Sequence, residues 1–456
     1  MYVWVYIVYA SCKVSINKLF RKNVVLNLLK LIENEEFKRR SKAGCMGAFI
    51  RERILTFKVL IVIISRGLKN SLQRELDSFY KEVYQSEFNI REVTKGAFTQ
   101  ARSKLRHEAF IEMNDNINQT FYTEAPYLLW NTYRLLACDG SRLVLPKHKS
   151  IIEEFGEHGF GPDANSKQSL AVTSLLYDVL NLVTIDAQIA PYIKSERELL
   201  YEHLKKVQQD DLLLLDRGYP SIALMFLLRA KGINFCMRMK EDWWLSIKEF
   251  AESFEKERIV SFSLPKKDRE LLKEYSYMYD QKIECRLVCV ELENGEKEIL
   301  CTSLTDFEKY PYSDFGELYN LRWGVEEAYK LYKSRAEIEN FSGKTALAVK
   351  QDFFAMVFTM SLCAILAFPI EERVRKEYQE AENKPKREKK INRTSALSML
   401  RNISIGLFLK NRVTPALSAF DKIVSKTTEI VRPGRKFKRY KKHKKPYYMN
   451  YKPLGA

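Results

Sequence analysis

The sequence predicts an α/β protein, a mixed sheet covered by helices, and three observations predict it. From about residue 130 the elements run three strands, helix, strand, helix, strand. Asp211–Leu215 (DLLLL) is a short, wholly apolar run of the kind that is covered on both faces. Residues 1–125, by contrast, show helical spacing with few strand-like alternations.

Within that N-terminal region, Ser71–Lys81 places Leu72, Leu76 and Phe79 on one face, and Thr94–Leu105 does the same with Ala97, Phe98, Ala101 and Leu105. The second helix sets Lys95, Gln100, Arg102 and Lys104 opposite its apolar stripe, as a helix entering a major groove requires. A helix-turn-helix is one reading, and an ordinary basic surface helix is the other.

Residues 126–345 form the predicted core. Tyr133–Leu145, Leu170–Tyr177 and Leu180–Ile189 read as strands, the last two joined by a tight turn near Asp178. Glu196–Gln208 reads as a helix, Asp211–Leu215 as a strand, Tyr219–Ala230 as a helix and Ile233–Arg238 as a strand. A β-rich insertion at about 240–298 interrupts this order, with Lys282–Leu292 its clearest strand and Asn294-Gly295 a hairpin turn into Glu298–Thr302. One long helix is expected over Asp314–Asn340, then a helical region over 346–430.

Charge points to an acidic partner. Lys and Arg total 76 against 58 Asp and Glu, a net charge of +18. Ten cations lie between Arg432 and Lys452 with no Asp or Glu among them, and aromatic residues are interleaved. Residues 431–456 therefore read as a disordered basic arm that contacts nucleic acid, or alternatively as a solubilising tail. A hydrophobic content of 46% with 17 Gly and 13 Pro excludes a disordered or collagenous chain as a whole.

The eight cysteines form no CxxC pair, which argues for reduced thiols in a cytoplasmic setting. Five scattered histidines and no HExxH leave carboxylates as the ligands of any metal. Phe353–Ile370 is uncharged over 18 residues, close to the lower spanning limit, and ends in Pro369. It is expected to be a buried helix, with no membrane partner.

Two acids sit at strand ends. Asp139 follows Leu-Leu-Ala-Cys and precedes Gly-Ser; Asp216 follows four leucines and precedes Arg-Gly-Tyr-Pro. A sheet fixes the backbone of such a residue while its carboxylate reaches the rim, although Asp in either setting is also a turn former. In YNLRWGVEEAYKLYK, a continuous helix places Tyr319, Arg322 and Lys333 within about 40° of Glu326 and turns Glu327 away. That face suits a metal-binding carboxylate among phosphate-gripping neighbours, and equally a solvated helix laced with i,i+4 pairs.

The spacing Tyr319-x2-Arg322-x3-Glu326-x6-Lys333 resembles the signature of bacterial insertion-sequence transposases of the DDE class, the family numbered four. Asp139-Gly140-Ser141 and Asp216-Arg217 resemble its first two acids, and Ser342-Gly343-Lys344-Thr345 and Arg432-Pro433-Gly434-Arg435 also resemble its members. The resemblance covers about residues 50–456.

It implies a ribonuclease-H-like core in which Asp139, Asp216 and Glu326 converge on divalent metal, Mg²⁺ or Mn²⁺ and two ions. The implied function is a DNA transposase that cleaves and transfers strands, cut-and-paste through a hairpin intermediate. The alternative is a catalytically inactive, transposase-derived DNA-binding protein. Tyr319, Arg322 and Lys333 would hold terminal phosphates. The implied partners are double-stranded DNA, as transposon ends and target, and a second copy in a synaptic homodimer; the implied location is the bacterial cytoplasm, on the nucleoid. One departure stands out: Glu298 occupies the position where relatives carry an aromatic that stacks on a flipped base, leaving Trp243, Trp244 or Trp323 as substitutes or as packing residues.

Overall fold

The computed structural model describes residues 7–9, 19–44, 47–49, 54–160, 166–292, 295–381, 387–432 and 452. The chain divides into two compact units. The first comprises residues 1–12, 127–142 and 172–329, and the second 13–126, 143–171 and 330–456.

The first unit is built on an eight-stranded sheet. In chain order its strands are β1 (Arg134–Val144), β2 (Leu170–Asp178), β3 (Val183–Pro191), β4 (Asp211–Leu215), β5 (Asn234–Arg238), β6 (Glu257–Ser263), β7 (Lys282–Glu291) and β8 (Lys297–Thr302). They lie in the order β6-β7-β8-β5-β4-β1-β2-β3. Strand β4 runs parallel to β1 and β5, whereas β5–β8, β8–β7 and β7–β6 pair antiparallel, so the sheet is mixed. All five residues of β4 are buried, as its continuous apolarity requires of a strand covered on both faces.

Helices α1 (Glu196–His203), α2 (Ile222–Ala230), α3 (Leu245–Glu252), α4 (Asp314–Asn320) and α5 (Trp323–Ser334) accompany the sheet. Ser195 and Glu198 form a reciprocal capping box at the start of α1, and Ser221 caps α2 by accepting from Leu224 N at 3.1 Å. The β2–β3 turn is closed by Asp178, whose Oδ1 accepts from Leu180 N and Asn181 N.

The β-rich insertion supplies β6 and β7, which with β8 extend the sheet beyond β5, and a 3₁₀ stretch, Lys266–Met278, joins β6 to β7. The hairpin turn is described only at Gly295, since Asn294 lies outside the described residues. The single helix expected over Asp314–Asn340 is two helices, broken at Leu321 and Arg322. There the N–H groups of Arg322, Gly324 and Val325 bond carbonyls three residues back.

The second unit is helical around Ala346–Gln379, which buries residues along most of its length. This is the one described helix long and apolar enough to span a membrane, and 83% of its apolar window is buried within the protein. Thr345 caps it by accepting from Ala348 N, and Gly343 admits it closely: a Cβ at 343 would lie 2.4 Å from Ala348 Cβ. Near Pro369, which supplies no N–H to the helical ladder, Arg21 donates to Leu366 O at 3.0 Å and forks onto Asp421. Phe20 and Phe121 pack edge-on against Phe368 of the same helix. The N-terminal helices and the helical region after residue 346 thus belong to one unit, where the sequence reading separates them.

Candidate active site

The register of β1 and β4 sets the first two acids level. Ala137 pairs with Leu214, so Asp139 and Asp216 each lie two residues further along adjacent parallel strands, at the same end of the sheet. Neighbouring strands are about 4.8 Å apart, which brings the two side chains to one edge. Asp139 lies within β1 rather than at its end, and its Oδ1 accepts from Gly140 N at 2.9 Å; Asp216 follows the end of β4, and its Oδ1 accepts from Gly218 N at 2.8 Å.

Glu326 reaches them through two tyrosines. Tyr329, one turn beyond Glu326 on α5, donates through its hydroxyl to Asp139 O at 3.3 Å, and Tyr319 donates to Leu215 O, next to Asp216, at 3.4 Å. Gly324 lets α5 press on the β2–β3 turn, since a Cβ there would lie 3.1 Å from Val179 Cβ. Glu326 is half-buried and Glu327 exposed.

Electrostatics register the convergence. Burial, and then the charges of Glu196, Asp216 and Glu326, push the Asp139 carboxyl up to about 7 against the pull of the Gly140 N–H. Among the described residues no three His, Cys, Asp or Glu side chains form a ready-made metal cage. Asp139 lies in the field of Glu196, Asp216 and Glu326 without the group closing to ligand distance. Their hard oxygen donors suit a divalent ion of the Mg²⁺ type.

Arg322 lies at the break between α4 and α5, its side chain only 6% exposed. Its Nη2 donates to Glu326 Oε1 at 3.0 Å, and the guanidinium lies over the Tyr319 and Trp323 rings. Its Nε is buried without a hydrogen-bond partner, so the guanidinium serves the packing at the α4–α5 break and the Glu326 carboxylate rather than a phosphate.

Two further residues read as DNA contacts are otherwise engaged. Tyr319 is 4% exposed, and its hydroxyl is spent on Leu215 O, so it positions the helix pair rather than meeting a phosphate. Arg102 is buried and bonded to Gln351, Ser342, Ala348 O and Asp352, because it faces the inside of its short helix, Lys95–Arg102. Lys95, Gln100 and Lys104 are exposed. Lys333 is half-buried, seven residues after Glu326 on α5, in the part of that helix belonging to the second unit.

Trp243 is 39% exposed and stacks on Trp244, which meets Phe262 edge-on; Trp323 is 45% exposed. Glu298 pairs with Arg238 at 2.8 Å. Most of the basic arm, 433–451 and 453–456, lies outside the described residues. The six described cysteines are free thiols.

Sequence reasoning missed a buried network behind the first acid. Ser174 Oγ donates to Asp139 O at 3.4 Å and lies 3.0 Å from His203 Nε2, while His203 Nδ1 is 2.7 Å from Asp186 Oδ2. It also missed Glu196. The Ser195-x2-Glu198 capping box marks the start of its helix, but nothing in the sequence ties Glu196 to Asp139.

The profile of the family described as "Transposase DDE domain" matches residues 130–362, just over half of the chain. The chain belongs to the transposase DDE domain family. Among relatives of this DDE domain chain, the transposase InsG for insertion sequence element IS4 of Escherichia coli K12 is 24% identical over 282 residues, 59% of this chain and 60% of that protein. The transposase for insertion sequence element IS231E of Bacillus thuringiensis subsp. finitimus is 21% identical over 281 residues, 52% of this chain and 57% of that one. The match thus spans somewhat under two thirds of each relative's length. A solved piggyBac transposase synaptic complex with hairpin DNA aligns with a TM-score of 0.45 and 13% identity, covering 94% of this chain and 89% of that one.

Proposed function

We propose that this chain is a DNA transposase that cleaves and joins strands at the ends of an insertion sequence by divalent-metal-dependent phosphoryl transfer, with Asp139, Asp216 and Glu326 as its metal-holding acids. The observation that carries this reading is the alignment of Asp139 with Asp216 on adjacent parallel strands, with the helix of Glu326 tied to Asp139 by Tyr329. When bound, two such ions activate a water or 3′-hydroxyl and stabilise the leaving oxygen of an in-line displacement.

The protein's own part is positioning. The oxygen of each aspartate not engaged by a neighbouring N–H is the one offered to a cation. Lys333 takes a phosphate, and Arg322, read as a second phosphate contact, is buried and holds the Glu326 carboxylate in place. Lys95, Gln100, Lys104 and the basic arm supply contacts to the duplex. Two transposon ends and a target call for a homodimeric synaptic complex, working in the cytoplasm on the nucleoid. For a hairpin intermediate, the half-exposed faces of Trp243 and Trp323 are the available stacking surfaces, while Glu298 is committed to Arg238.

Purified protein incubated with the DNA flanking its own gene and Mg²⁺ should nick that DNA, and a denaturing gel resolves nicks from hairpins. Asp216→Asn should abolish cleavage and retain binding. Binding without cleavage by the wild-type chain in Mg²⁺ or Mn²⁺ would instead support an inactive DNA-binding descendant.

A further inference from the structure

Helix α1 delivers a fourth acid to the same edge of the sheet. Its first turn is fixed by the capping box: Ser195 Oγ accepts from Glu198 N at 3.2 Å, and the Glu198 carboxylate accepts from Ser195 N at 2.9 Å. Arg197 then donates to Gly218 O at 3.1 Å and Pro220 O at 3.3 Å, lashing that turn to the loop after Asp216. Between these two anchors stands Glu196.

The Glu196 side chain lies against the peptide that follows Asp139. A Cβ built on Gly140 would be 2.3 Å from Glu196 Oε1 and 2.6 Å from both Cδ and Cγ, so only glycine at 140 leaves room for it. Among the described residues no ion pair or hydrogen bond engages this carboxylate. Its neighbours in charge are Asp139 and Asp216, with the Arg142 charge opposing them. A cation offsets the cost of holding a partly buried acid against two others, as a proton otherwise does.

We propose that Glu196 is a fourth carboxylate of the divalent-cation site, spanning the first two aspartates, an assignment that rests on the metal-centre reading given above. The capping box and the Arg197 clamp give it a fixed backbone, and Gly140 gives it the space to reach.

The test is Mn²⁺ binding to the purified full-length chain without DNA, followed by the paramagnetic resonance of free Mn²⁺, for wild type, Glu196→Gln, Gly140→Ala and Asp139→Asn. Thermal melting checks that each variant folds. Glu196→Gln should weaken Mn²⁺ binding by about 10-fold or more, or remove one of two ions, as loss of a ligating or supporting group does. Gly140→Ala should do the same by pushing the carboxylate aside. Wild-type Mn²⁺ binding by Glu196→Gln, with binding lost in Asp139→Asn, overturns this assignment and leaves the metal centre standing. Unchanged binding in Asp139→Asn as well overturns both. Should Glu196→Gln not fold, Gly140→Ala decides by the same criterion.

Discussion

Arg134 and Asp211 face each other at the start of two parallel strands, Nε to Oδ1 at 2.7 Å and Nη2 to Oδ2 at 2.8 Å, with Asp211 1% exposed. This forked pair fixes the register that, five residues further on, sets Asp139 beside Asp216. A slip of one residue would turn each acid to the opposite face of the sheet.

Removing one partner leaves the other buried and uncompensated. Arg134→Met should therefore destabilise the fold by about 3–5 kcal/mol in urea denaturation. The double variant Arg134→Met with Asp211→Leu should recover much of that loss. A single variant costing under about 1 kcal/mol would show that the pair does not hold the strands.

The Asp139 carboxyl, raised to about 7 by burial and by its acidic neighbours, binds a proton more tightly folded than unfolded. Without metal, stability should thus be greatest below about pH 4 as far as this group is concerned, and fall as the pH climbs towards 7, by a few kcal/mol at most. Thermal melts in a chelator measure the slope. Asp139→Asn should flatten it, and Mg²⁺ should counter the loss near neutrality.

Tyr319 and Tyr329 tie the glutamate-bearing helices to the strands of the two aspartates. Tyr319→Phe removes the bond to Leu215 O and Tyr329→Phe those to Asp139 O and Thr173 Oγ1, and each change should cost about 1–2 kcal/mol of stability. Cleavage should suffer more, because misplacement by about 1 Å can cost on the order of 10²-fold in rate. Single-turnover cleavage rates set beside melting temperatures separate the two effects. Equal, small losses in both would reduce the tyrosines to packing.

Arg102 and Lys95 belong to one short helix and should respond oppositely. Lys95→Ala should leave the melting temperature unchanged and, if Lys95 meets a phosphate, reduce the slope of log affinity against log salt by about 0.9. Arg102→Ala should unfold the protein first, since it strands Asp352 and Gln351 in the interior. Comparable loss of DNA affinity from both, at unchanged stability, would contradict the burial of Arg102.

Much of the sheet was legible because β1, β2, β4 and β5 carry continuous apolar runs that only a covered strand explains. Asp216 was read from a strand end and follows one, whereas Asp139, read the same way, lies inside β1, because the strand runs on through Gly140 to Val144. What stayed hidden depended on tertiary contact. Leu321 and Arg322 break a helix whose pattern runs on unbroken, because α5 is drawn against Val179 through Gly324. Arg102 sits on the polar side of its own helix, yet a neighbouring segment covers it. Glu196 looks like any acid in a first turn until Gly140 is seen to make space for it. Strands β6 and β7 alternate so weakly that their membership of the main sheet shows only in their partners.

The second unit is assembled from three separated stretches of chain, with Phe20 and Phe121 closing on Phe368 from far away in sequence. An isolated amino-terminal fragment ending near residue 125 would therefore carry bare aromatic flanks. Anyone wishing to transplant this protein's front end as a free-standing recognition module would have to bring the distant long helix with it, or design a substitute for its greasy side.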